Sequence, residues 1–459
     1  MEWPYAPVEF TKQGRAAGDA QVDRALRLVR SGADPATDVL LIAHGWNNDV
    51  DDAERLFTEL ADDVADLART RAPNRRWVVV GLLWPSVRWA DDDRVAGGGL
   101  SAAGELPALL DAITERVEDP AAAGELRELA GALEASAEAR DRFLARLRDL
   151  LPPEPDDGDD DPVPGTLRSG DTEEVFARAG AAELDVDTGA EPSDPPGAGA
   201  GLPPGVPPDF LTASGTTATG LSLPGLDPTR AARQLLNLTT YYTMKGRAGR
   251  VGTRGVAPLL ARLARLPGPP RLHLVGHSFG ARVVTAAAAA TEVPVASLTL
   301  LQGAFSHRSF SGSTAPPGTF RGVLTGPQLV GPVVVTHTHN DKAVLLAYAV
   351  ASRLARQASS GLGDADDPYG GLGANGAVAT AEADHATLGD DEARYRFAPR
   401  RITNLLADRH VSGHGDVRNR AVANALLQAM LAAPVVSPRT PPAAEATSPA
   451  PAPQGGAPP

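Results

Sequence analysis

One serine lies in a motif that can make its hydroxyl a nucleophile. Ser278 occupies the centre of Gly276-His-Ser-Phe-Gly280, with a mostly apolar run, residues 272–275, before it and a small-residue, helix-forming run, residues 281–290, after it. This order predicts a strand, a tight turn and a helix, and the two glycines allow the strand and the helix to approach closely. The turn would present the hydroxyl of Ser278 above the carboxyl end of the strand.

A serine hydroxyl attacks a carbonyl group only when an imidazole takes its proton and a carboxylate orients that imidazole. Asp341 follows the apolar run 333–336, whereas residues 302–305, which follow another predicted strand, contain no acid. Asp341 is therefore the candidate carboxylate. The alternative is that Asp341 only caps the helix predicted after it, because aspartate is a preferred residue at helix starts.

The candidate base is a histidine that follows Asp341 in the chain. His385 precedes the last predicted strand, and His410 lies close to the end of that strand. His414 is flanked by Gly413 and Gly415 and lies between the last strand and the last helix. His414 is therefore the preferred base, with His410 as the alternative.

Attack by serine creates an oxyanion, which needs backbone N–H groups aimed at it. The amide of Phe279 comes directly after the nucleophile and begins a helix. The second donor is expected from the turn that follows the first long apolar run, where Trp46 is preferred and Gly45 is the alternative. The side chains of His44 and Trp46 are predicted to hold this turn rather than to take part in chemistry.

Other histidines offer a competing interpretation. The spacings His337-x-His339 and His410-x-x-x-His414 can supply imidazole ligands for a metal, but the chain has no H-E-x-x-H pattern. We therefore expect no metal site and no organic cofactor. His277, next to the nucleophile, is expected to pack or to brace a loop.

These residues must be positioned by the elements that precede them. Six largely apolar runs predict strands, and helical segments separate them, which is typical of a doubly wound, mostly parallel α/β sheet with its site at the carboxyl ends of the strands. The order serine, aspartate, histidine is that of the α/β-hydrolase triad. The predicted strands span 38–43, 77–84, 272–275, 295–301, 333–336 and 401–406.

The remaining sequence predicts helices and two low-complexity blocks. Tyr241 and Tyr242, in a helical stretch, are expected to pack, with lining of the site from above as the alternative. Helices are predicted at 21–30, 49–67, 281–290, 342–355 and 416–432, and one or two helices are predicted within 231–266. The predicted layout is an N-terminal segment 1–35, a first core part 36–101, a helical insertion or cap 102–151, an acidic, Pro/Gly-rich disordered loop 152–229, a second core part 230–432 and a disordered tail 433–459.

Composition excludes some functions. The chain has 57 acidic and 43 basic side chains, a net charge of −14, and this argues against a nucleic-acid partner. It contains no cysteine, which excludes disulfides and a thiol nucleophile. No stretch approaches 18 uninterrupted apolar residues, and residues 1–18 lack the apolar core of a signal peptide, so we expect a cytoplasmic protein without a transmembrane segment.

Taken together, the motif at 276–280, the entry His44-Gly-Trp-Asn-Asn48 and the segment Leu83-Trp-Pro-Ser86 resemble the α/β-hydrolase superfamily of serine esterases and lipases, in a poorly characterised bacterial branch. The resemblance covers about residues 36–92 and 230–432. It implies a triad of Ser278, Asp341 and His414, and oxyanion donors at Trp46 and Phe279. The large insertion, the long segment between Asp341 and His414 and the appended tail depart from that pattern.

The leading hypothesis is a serine hydrolase that cleaves a small-molecule carboxylic ester through an acyl-enzyme. An acyltransferase or a peptidase could use the same residues, because only the leaving group or the second nucleophile differs. The hypothesis from a different class is a binding or scaffold protein on the same fold, with the acidic loop and the tail as segments for protein partners.

Overall fold

The computed structural model describes residues 1–31, 35–46, 48–86, 105–153, 162–180, 227–341, 344, 354 and 369–434. These residues form one sheet of eight strands in the order β1-β3-β2-β4-β5-β6-β8-β7, and every neighbouring pair is parallel. The strands are β1 Tyr5–Glu9, β2 Asp38–Ala43, β3 Trp77–Leu83, β4 Arg271–His277, β5 Ser297–Leu301, β6 Val333–His337, β7 Ala383–Thr387 and β8 Ile402–Leu406.

The prediction of a mostly parallel α/β sheet is confirmed, and all six predicted strands are present. The sequence prediction missed β1 and β7, which form the two edges of the sheet. Both are short and lack a continuous apolar run, and the last four residues of β7 are exposed. An edge strand is covered on fewer sides than a central strand, so its sequence carries a weaker apolar signal. Because β1 joins the sheet and α1 packs against it, these two elements of the predicted N-terminal segment belong to the same core as the predicted strands.

Helices connect the strands. They are α1 Asp19–Arg30, α2 Val50–Arg71, α3 Glu105–Arg116, α4 Pro120–Ala130, α5 Ala137–Asp149, α6 Gly165–Ser169, α7 Thr172–Gly180, α8 Pro228–Val251, α9 Ala257–Ala264, α10 Phe279–Ala290, α11 Arg321–Thr325, α12 Leu372–Asn375 and α13 Arg420–Leu431. A π-helical turn, Gly252–Val256, joins α8 to α9. Within the described ranges, no helix is both long and apolar enough to cross a membrane.

Side chains at the helix starts explain where several helices begin. Asp49 accepts a hydrogen bond from the amide of Asp52 at the start of α2, and Asp227 accepts one from Arg230 at the start of α8. Asn419 does the same for Val422 at the start of α13. Each cap satisfies an amide that has no partner within its helix, which fixes the point where the chain leaves a loop.

The helices cover both faces of the sheet, and each face buries its own apolar cluster. One face carries α1, α8, α9 and α10, and the other carries α2 and α13. The predicted insertion at 102–151 forms α3, α4 and α5. Helices α6 and α7 lie inside the segment 152–229, which was predicted as a disordered loop, so that prediction was wrong for residues 165–180.

Helix α8 joins the inserted helices to the sheet. It packs against α10 on one side and against α3, α5 and α7 on the other. The helix predicted at 342–355 lies outside the described residues except at 344 and 354. The predicted tail also lies outside them beyond residue 434, and so do residues 154–161 and 181–226 of the predicted loop.

Candidate active site

Ser278 lies on a sharp turn between β4 and α10. Its backbone angles are φ 56° and ψ −123°, a strained conformation for a residue with a side chain. The amide of Ser278 donates to Leu301 O at 3.0 Å, and its carbonyl accepts from the amide of Ala304 at 3.1 Å. The end of β5 therefore holds the strained turn from one side.

Glycine is required on both sides of the turn. A Cβ atom at Gly276 would lie 2.2 Å from the carbonyl oxygen of Gly280, and one at Gly280 would lie 2.3 Å from that of Ala43. Both contacts are with backbone atoms, which cannot rotate away. The two glycines of the motif are thus dictated by the close approach of β4, α10 and the end of β2.

His414 reaches Ser278 from the loop between β8 and α13. Its Nε2 lies 2.8 Å from Ser278 Oγ, where the unprotonated nitrogen accepts the hydroxyl hydrogen. Its Nδ1 lies 2.9 Å from Oδ2 of Asp341 and donates to it. Asp341 is fully buried, whereas the side chain of His414 is 26% exposed. Three residues from three loops therefore form one chain of hydrogen bonds.

Asp341 also caps a helical turn. Its Oδ1 accepts a hydrogen bond from the amide of Val344 at 3.0 Å, while Oδ2 faces His414. One oxygen thus makes the helix-capping bond considered from the sequence, and the other makes the bond to an imidazole that a catalytic role requires. The helical cap fixes the carboxylate plane, and this directs Oδ2 at the imidazole.

The environment of His414 favours its protonated form. Burial alone would lower its pKa, but the negative charge of Asp341 and the hydrogen bond to it outweigh burial, and the pKa is raised above the ordinary value. A base with a raised pKa binds the serine proton more firmly once it has accepted it. The same interaction holds the tautomer in which Nε2 is free to accept.

The other two candidate histidines lie elsewhere. The amide of His410 donates to Ala407 O at 2.9 Å, and its carbonyl accepts from Nδ2 of Asn419 at 3.0 Å. Among the hydrogen bonds between described residues, none joins His410 to Ser278 or Asp341. His385 is exposed on the edge strand β7. The structure therefore brings only His414 of these three to the nucleophile.

The turn that carries Trp46 passes directly over the nucleophile. A Cβ atom at Gly45 would lie 3.0 Å from Ser278 Cβ, and the ring of Trp46 packs on that of Phe279 with centroids 6.0 Å apart. Within the described part of the chain, the amides of Gly45, Trp46 and Phe279 donate to no acceptor. Trp46 and Phe279 remain the preferred oxyanion donors, with Gly45 as the alternative.

His44 holds that turn. Its Nε2 accepts the amide hydrogen of Trp84 at 3.1 Å, and its carbonyl accepts from Nε1 of Trp84 at 2.9 Å. Its Nδ1 lies 2.9 Å from Gly45 O and donates to it. Burial lowers the pKa of His44 to about 4, so the ring is neutral and both nitrogens keep these roles. His44 is thus a structural residue, as the sequence suggested.

His277 links the nucleophile turn to the base. Its Nε2 donates to the backbone carbonyl of His414 at 2.8 Å, and the two rings have centroids 5.0 Å apart. Burial is the main cause that lowers the pKa of His277 to about 3, so the ring stays neutral. His277 was expected to pack or to brace a loop, and the structure shows that the loop it holds is the one that carries His414.

Aromatic packing covers the start of α10. The ring of Phe279 lies between those of Trp46 and Tyr241, whose centroid is 5.1 Å away. Tyr241 and Tyr242 are 6% and 3% exposed, and the Tyr242 hydroxyl donates to Pro162 O at 3.2 Å. Both tyrosines pack, which is the first of the two roles considered from the sequence.

Asp408 connects the loops of the acid and the base, and sequence reasoning missed it. Its Oδ1 accepts from the hydroxyl of Thr338 at 2.8 Å and from the amide of His339 at 2.9 Å. Nδ2 of Asn340 donates to the carbonyls of Asp408 and Val411. Because Asp408 follows β8 almost directly, the rule that polar residues at strand ends form the site would have found it.

The histidines considered as metal ligands have other partners. His337 lies against Ala374 O at 3.3 Å, and His339 pairs with Asp408 at 2.8 Å. In the part of the chain that the structure describes, no group of three or more His, Asp or Glu side chains is arranged to hold a metal.

A second serine–histidine–aspartate chain lies towards the amino ends of the central strands β2, β4 and β5. Nδ1 of His273 is 2.8 Å from Ser297 Oγ, and its Nε2 is 3.0 Å from Asp38 Oδ1. All three side chains are fully buried, and Arg271 pairs with both oxygens of Asp38. Burial raises the pKa of Asp38, but hydrogen bonds from His273 and Arg271 outweigh it and lower the pKa to about 2. This cluster is inaccessible to a substrate and ties the strands together.

Comparison of the chain with protein-family models, with curated proteins and with solved structures finds no match. Function is therefore inferred from the geometry around Ser278.

Proposed function

We propose that this protein is a serine hydrolase that cleaves carboxylic esters through an acyl-enzyme. One observation carries the proposal, the continuous chain of hydrogen bonds from Ser278 Oγ through His414 to Asp341. A buried carboxylate that orients an imidazole, which in turn accepts a hydrogen bond from a serine hydroxyl, is the arrangement that activates serine in acyl transfer.

The proposed reaction begins when Ser278 Oγ attacks the ester carbonyl carbon and its proton passes to Nε2 of His414. The carbonyl oxygen becomes an oxyanion, which the amides of Trp46 and Phe279 stabilise. His414 then gives the proton to the leaving alcohol as the C–O bond breaks, and an acyl-serine ester remains. Asp341 stays ionised throughout and stabilises the imidazolium.

Water completes the cycle. It attacks the acyl carbon and gives one proton to His414, and a second oxyanion forms in the same place. Collapse of this intermediate breaks the bond to Ser278 Oγ, which recovers its proton from His414. The products are a carboxylic acid and the free enzyme, so atoms and charges balance without a cofactor.

The position of the site supports the α/β-hydrolase resemblance. Ser278 follows a central strand, β4, on a strained turn that begins helix α10. Asp341 follows β6 and His414 follows β8, so the residues come in the order serine, aspartate, histidine. That chain order accompanies the nucleophile turn in α/β-hydrolases.

A fluorophosphonate probe tests the proposal, because it labels only a serine that a base has activated. We expect wild type to be labelled, and Ser278→Ala and His414→Ala to be unlabelled at equal protein concentration. Ser313→Ala is the matched control, since that exposed hydroxyl donates to Ala379 O and lies against the hydroxyl of Ser311, with no bond to His414 or Asp341. Labelling of Ser278→Ala equal to wild type would refute the proposed nucleophile.

A panel of carboxylic esters then tests the reaction. We expect wild type to release alcohol from at least one ester, and Ser278→Ala to release none above the rate of the buffer. If an added alcohol instead accepts the acyl group faster than water does, the enzyme is an acyltransferase that uses the same triad.

A further inference from the structure

An arginine on α8 lacks a partner although it is partly buried. Among the described residues, the guanidinium of Arg250 has no hydrogen bond and no ion pair. Other partly buried arginines are paired. Arg75 donates to Asp38 at 3.2 Å, and Arg148 donates to the carbonyls of Leu167 and Gly170 at 2.8 and 2.6 Å. A guanidinium carries five N–H donors, and those of Arg250 are open to solvent and to a ligand, since none of its nitrogens is a buried atom without a partner.

The charges around Arg250 make its position less favourable. Burial lowers the pKa of Arg250, and the positive charges of Arg247 and Arg254 lower it further. Residues 247, 250 and 254 are spaced by three and four positions, which places them on one face of a helix. In the free protein the positive charges of Arg247, Arg250 and Arg254 therefore repel one another.

Lys12 extends this cluster from the N-terminal segment. It pairs with Glu118 at 2.9 Å, and Arg247 pairs with the two oxygens of the same carboxylate at 2.9 Å each. We call Lys12, Arg247, Arg250 and Arg254 the basic patch. Among the described residues, Glu118 is the one carboxylate paired with any of these four cations, which leaves an excess of three positive charges there on a chain whose net charge is −14.

The guanidinium of Arg250 lies over a glycine, Gly246. A Cβ atom at Gly246 would lie 3.4 Å from Nη1 of Arg250 and 3.8 Å from Cβ of Pro152, so the guanidinium lies back over the glycine beside this proline. Directly after Arg250 the chain enters the π-helical turn Gly252–Val256. Such turns occur frequently at functional sites.

One residue of the basic patch, Arg247, contacts the loop at the carboxyl end of β3, the end of the sheet that carries the candidate active site. Nη1 of Arg247 donates to Pro85 O at 2.8 Å, and Pro85 follows the carboxyl end of β3. Only β2 separates β3 from β4, the strand that leads to Ser278. Two strand spacings amount to about 10 Å.

We propose that the basic patch is a binding site for a phosphate-type oxyanion, with the guanidinium of Arg250 at its centre. The planar guanidinium matches two oxygens of such an anion at once. A phosphate group carries more than one negative charge, which suits an excess of three positive charges better than a single carboxylate does. The anion is either a free phosphate compound or the headgroup of an anionic lipid.

Titration calorimetry with inorganic phosphate, at constant ionic strength, tests the site in the full-length protein. We expect saturable binding to wild type, a loss of affinity of about tenfold or more in Arg250→Gln, and a smaller loss in Arg254→Gln. Arg265→Gln is the matched control, because it removes one exposed arginine outside the patch and should bind as wild type does. Ser278→Ala should also bind phosphate normally, so this test does not depend on the proposed hydrolase activity.

Sedimentation with lipid vesicles distinguishes the two sources of the anion. If a headgroup is the ligand, wild type and Arg265→Gln sediment with vesicles that contain phosphatidylglycerol but not with pure phosphatidylcholine, and Arg250→Gln does so at least tenfold less. If a free anion is the ligand, phosphate saturates the site and the vesicles bind none of the proteins. Equal behaviour of Arg250→Gln and Arg265→Gln in both assays, or no binding in either, would overturn the proposal.

Two further outcomes would also overturn it. In phosphate-free buffer we expect Arg250→Gln to unfold at a temperature no lower than wild type, because it removes an unpaired, half-buried cation; a clearly lower temperature would show a structural role instead. The second outcome concerns the aspartates of residues 156–161. If phosphate bound only after these aspartates were replaced by asparagine, the basic patch would be a binding site for the chain's own carboxylates and not for an external anion.

Discussion

Nε2 of His414 lies 2.8 Å from Oγ of Ser278, although 136 positions separate the two residues in the chain. The turn after β4 and the loop after β8 bring them together, and His277 joins the two by donating to the carbonyl of His414. This relationship gives rise to most of the predictions below.

Asp341→Asn should lower kcat by about 10⁴-fold and change the free energy of unfolding little. The amide nitrogen of asparagine would force the other tautomer on His414, whereas an asparagine side chain still caps the turn at Val344. Ester turnover and urea denaturation measure the two quantities. Asp384→Asn, on the exposed edge strand, is the control and should keep full activity. A kcat within tenfold of wild type in Asp341→Asn would exclude it as the orienting acid.

The rate should rise with pH as His414 loses its proton. Because Asp341 raises the pKa of His414 above its ordinary value of about 6.5, the midpoint of the rise in kcat/KM should lie above pH 6.5. In Asp341→Asn the residual activity should rise at a lower pH, since the raising charge is gone. A midpoint that does not move between the two proteins would assign the titration to another group.

His277→Ala should lower kcat by about tenfold or more with a small effect on KM, because the loop of His414 loses a bond while substrate contacts remain. The rise with pH should keep its midpoint, as His277, with a pKa of about 3, is neutral throughout. His277→Gln, which retains an N–H donor, should recover part of the rate. No loss of kcat in His277→Ala would show that the bond to His414 is dispensable.

Gly280→Ala should lower the free energy of unfolding by about 3 kcal/mol or more, since its Cβ would strike the backbone of Ala43. Gly124→Ala is the matched control, because a Cβ there meets no atom within 4 Å inside α4, and it should raise the free energy of unfolding by about 0.5–1 kcal/mol. Urea denaturation measures both. Equal stability of the two variants would contradict the close approach of α10 and β2.

Stability should fall as pH decreases from about 6.5 to about 4. In the unfolded chain His44 binds a proton below its ordinary pKa, but in the folded protein only below about 4, so the unfolded state binds more protons in this window. The pKa difference corresponds to at most about 3 kcal/mol. Urea denaturation across this range should show a shallower decline in His44→Gln. An identical decline would mean that other groups account for it.

Much of the sheet could be predicted from the sequence because central parallel strands are buried on both faces and need continuous apolar runs. Residues 38–43 and 333–336 are examples. The edge strands β1 and β7 could not, since neither presents such a run. Helices α6 and α7 were not predicted because their apolar patterns are short and lie within an acidic, proline-rich stretch whose overall composition is typical of disorder.

The sequence alone predicted the serine turn, since an apolar run, two glycines and a helix-forming run follow one another directly around Ser278. It indicated Asp341 as the candidate acid because the competing strand end, residues 302–305, contains no acid. Only the tertiary structure shows that His414, and not His410, lies within hydrogen-bonding distance of Ser278 and Asp341, and it revealed the bonds of His277 and Asp408. Whether a stretch forms a buried strand depends mainly on its own apolar residues, so the sequence of that stretch predicts it. The distance between loops on different strands depends on how the whole sheet is assembled, and no short stretch of sequence encodes it.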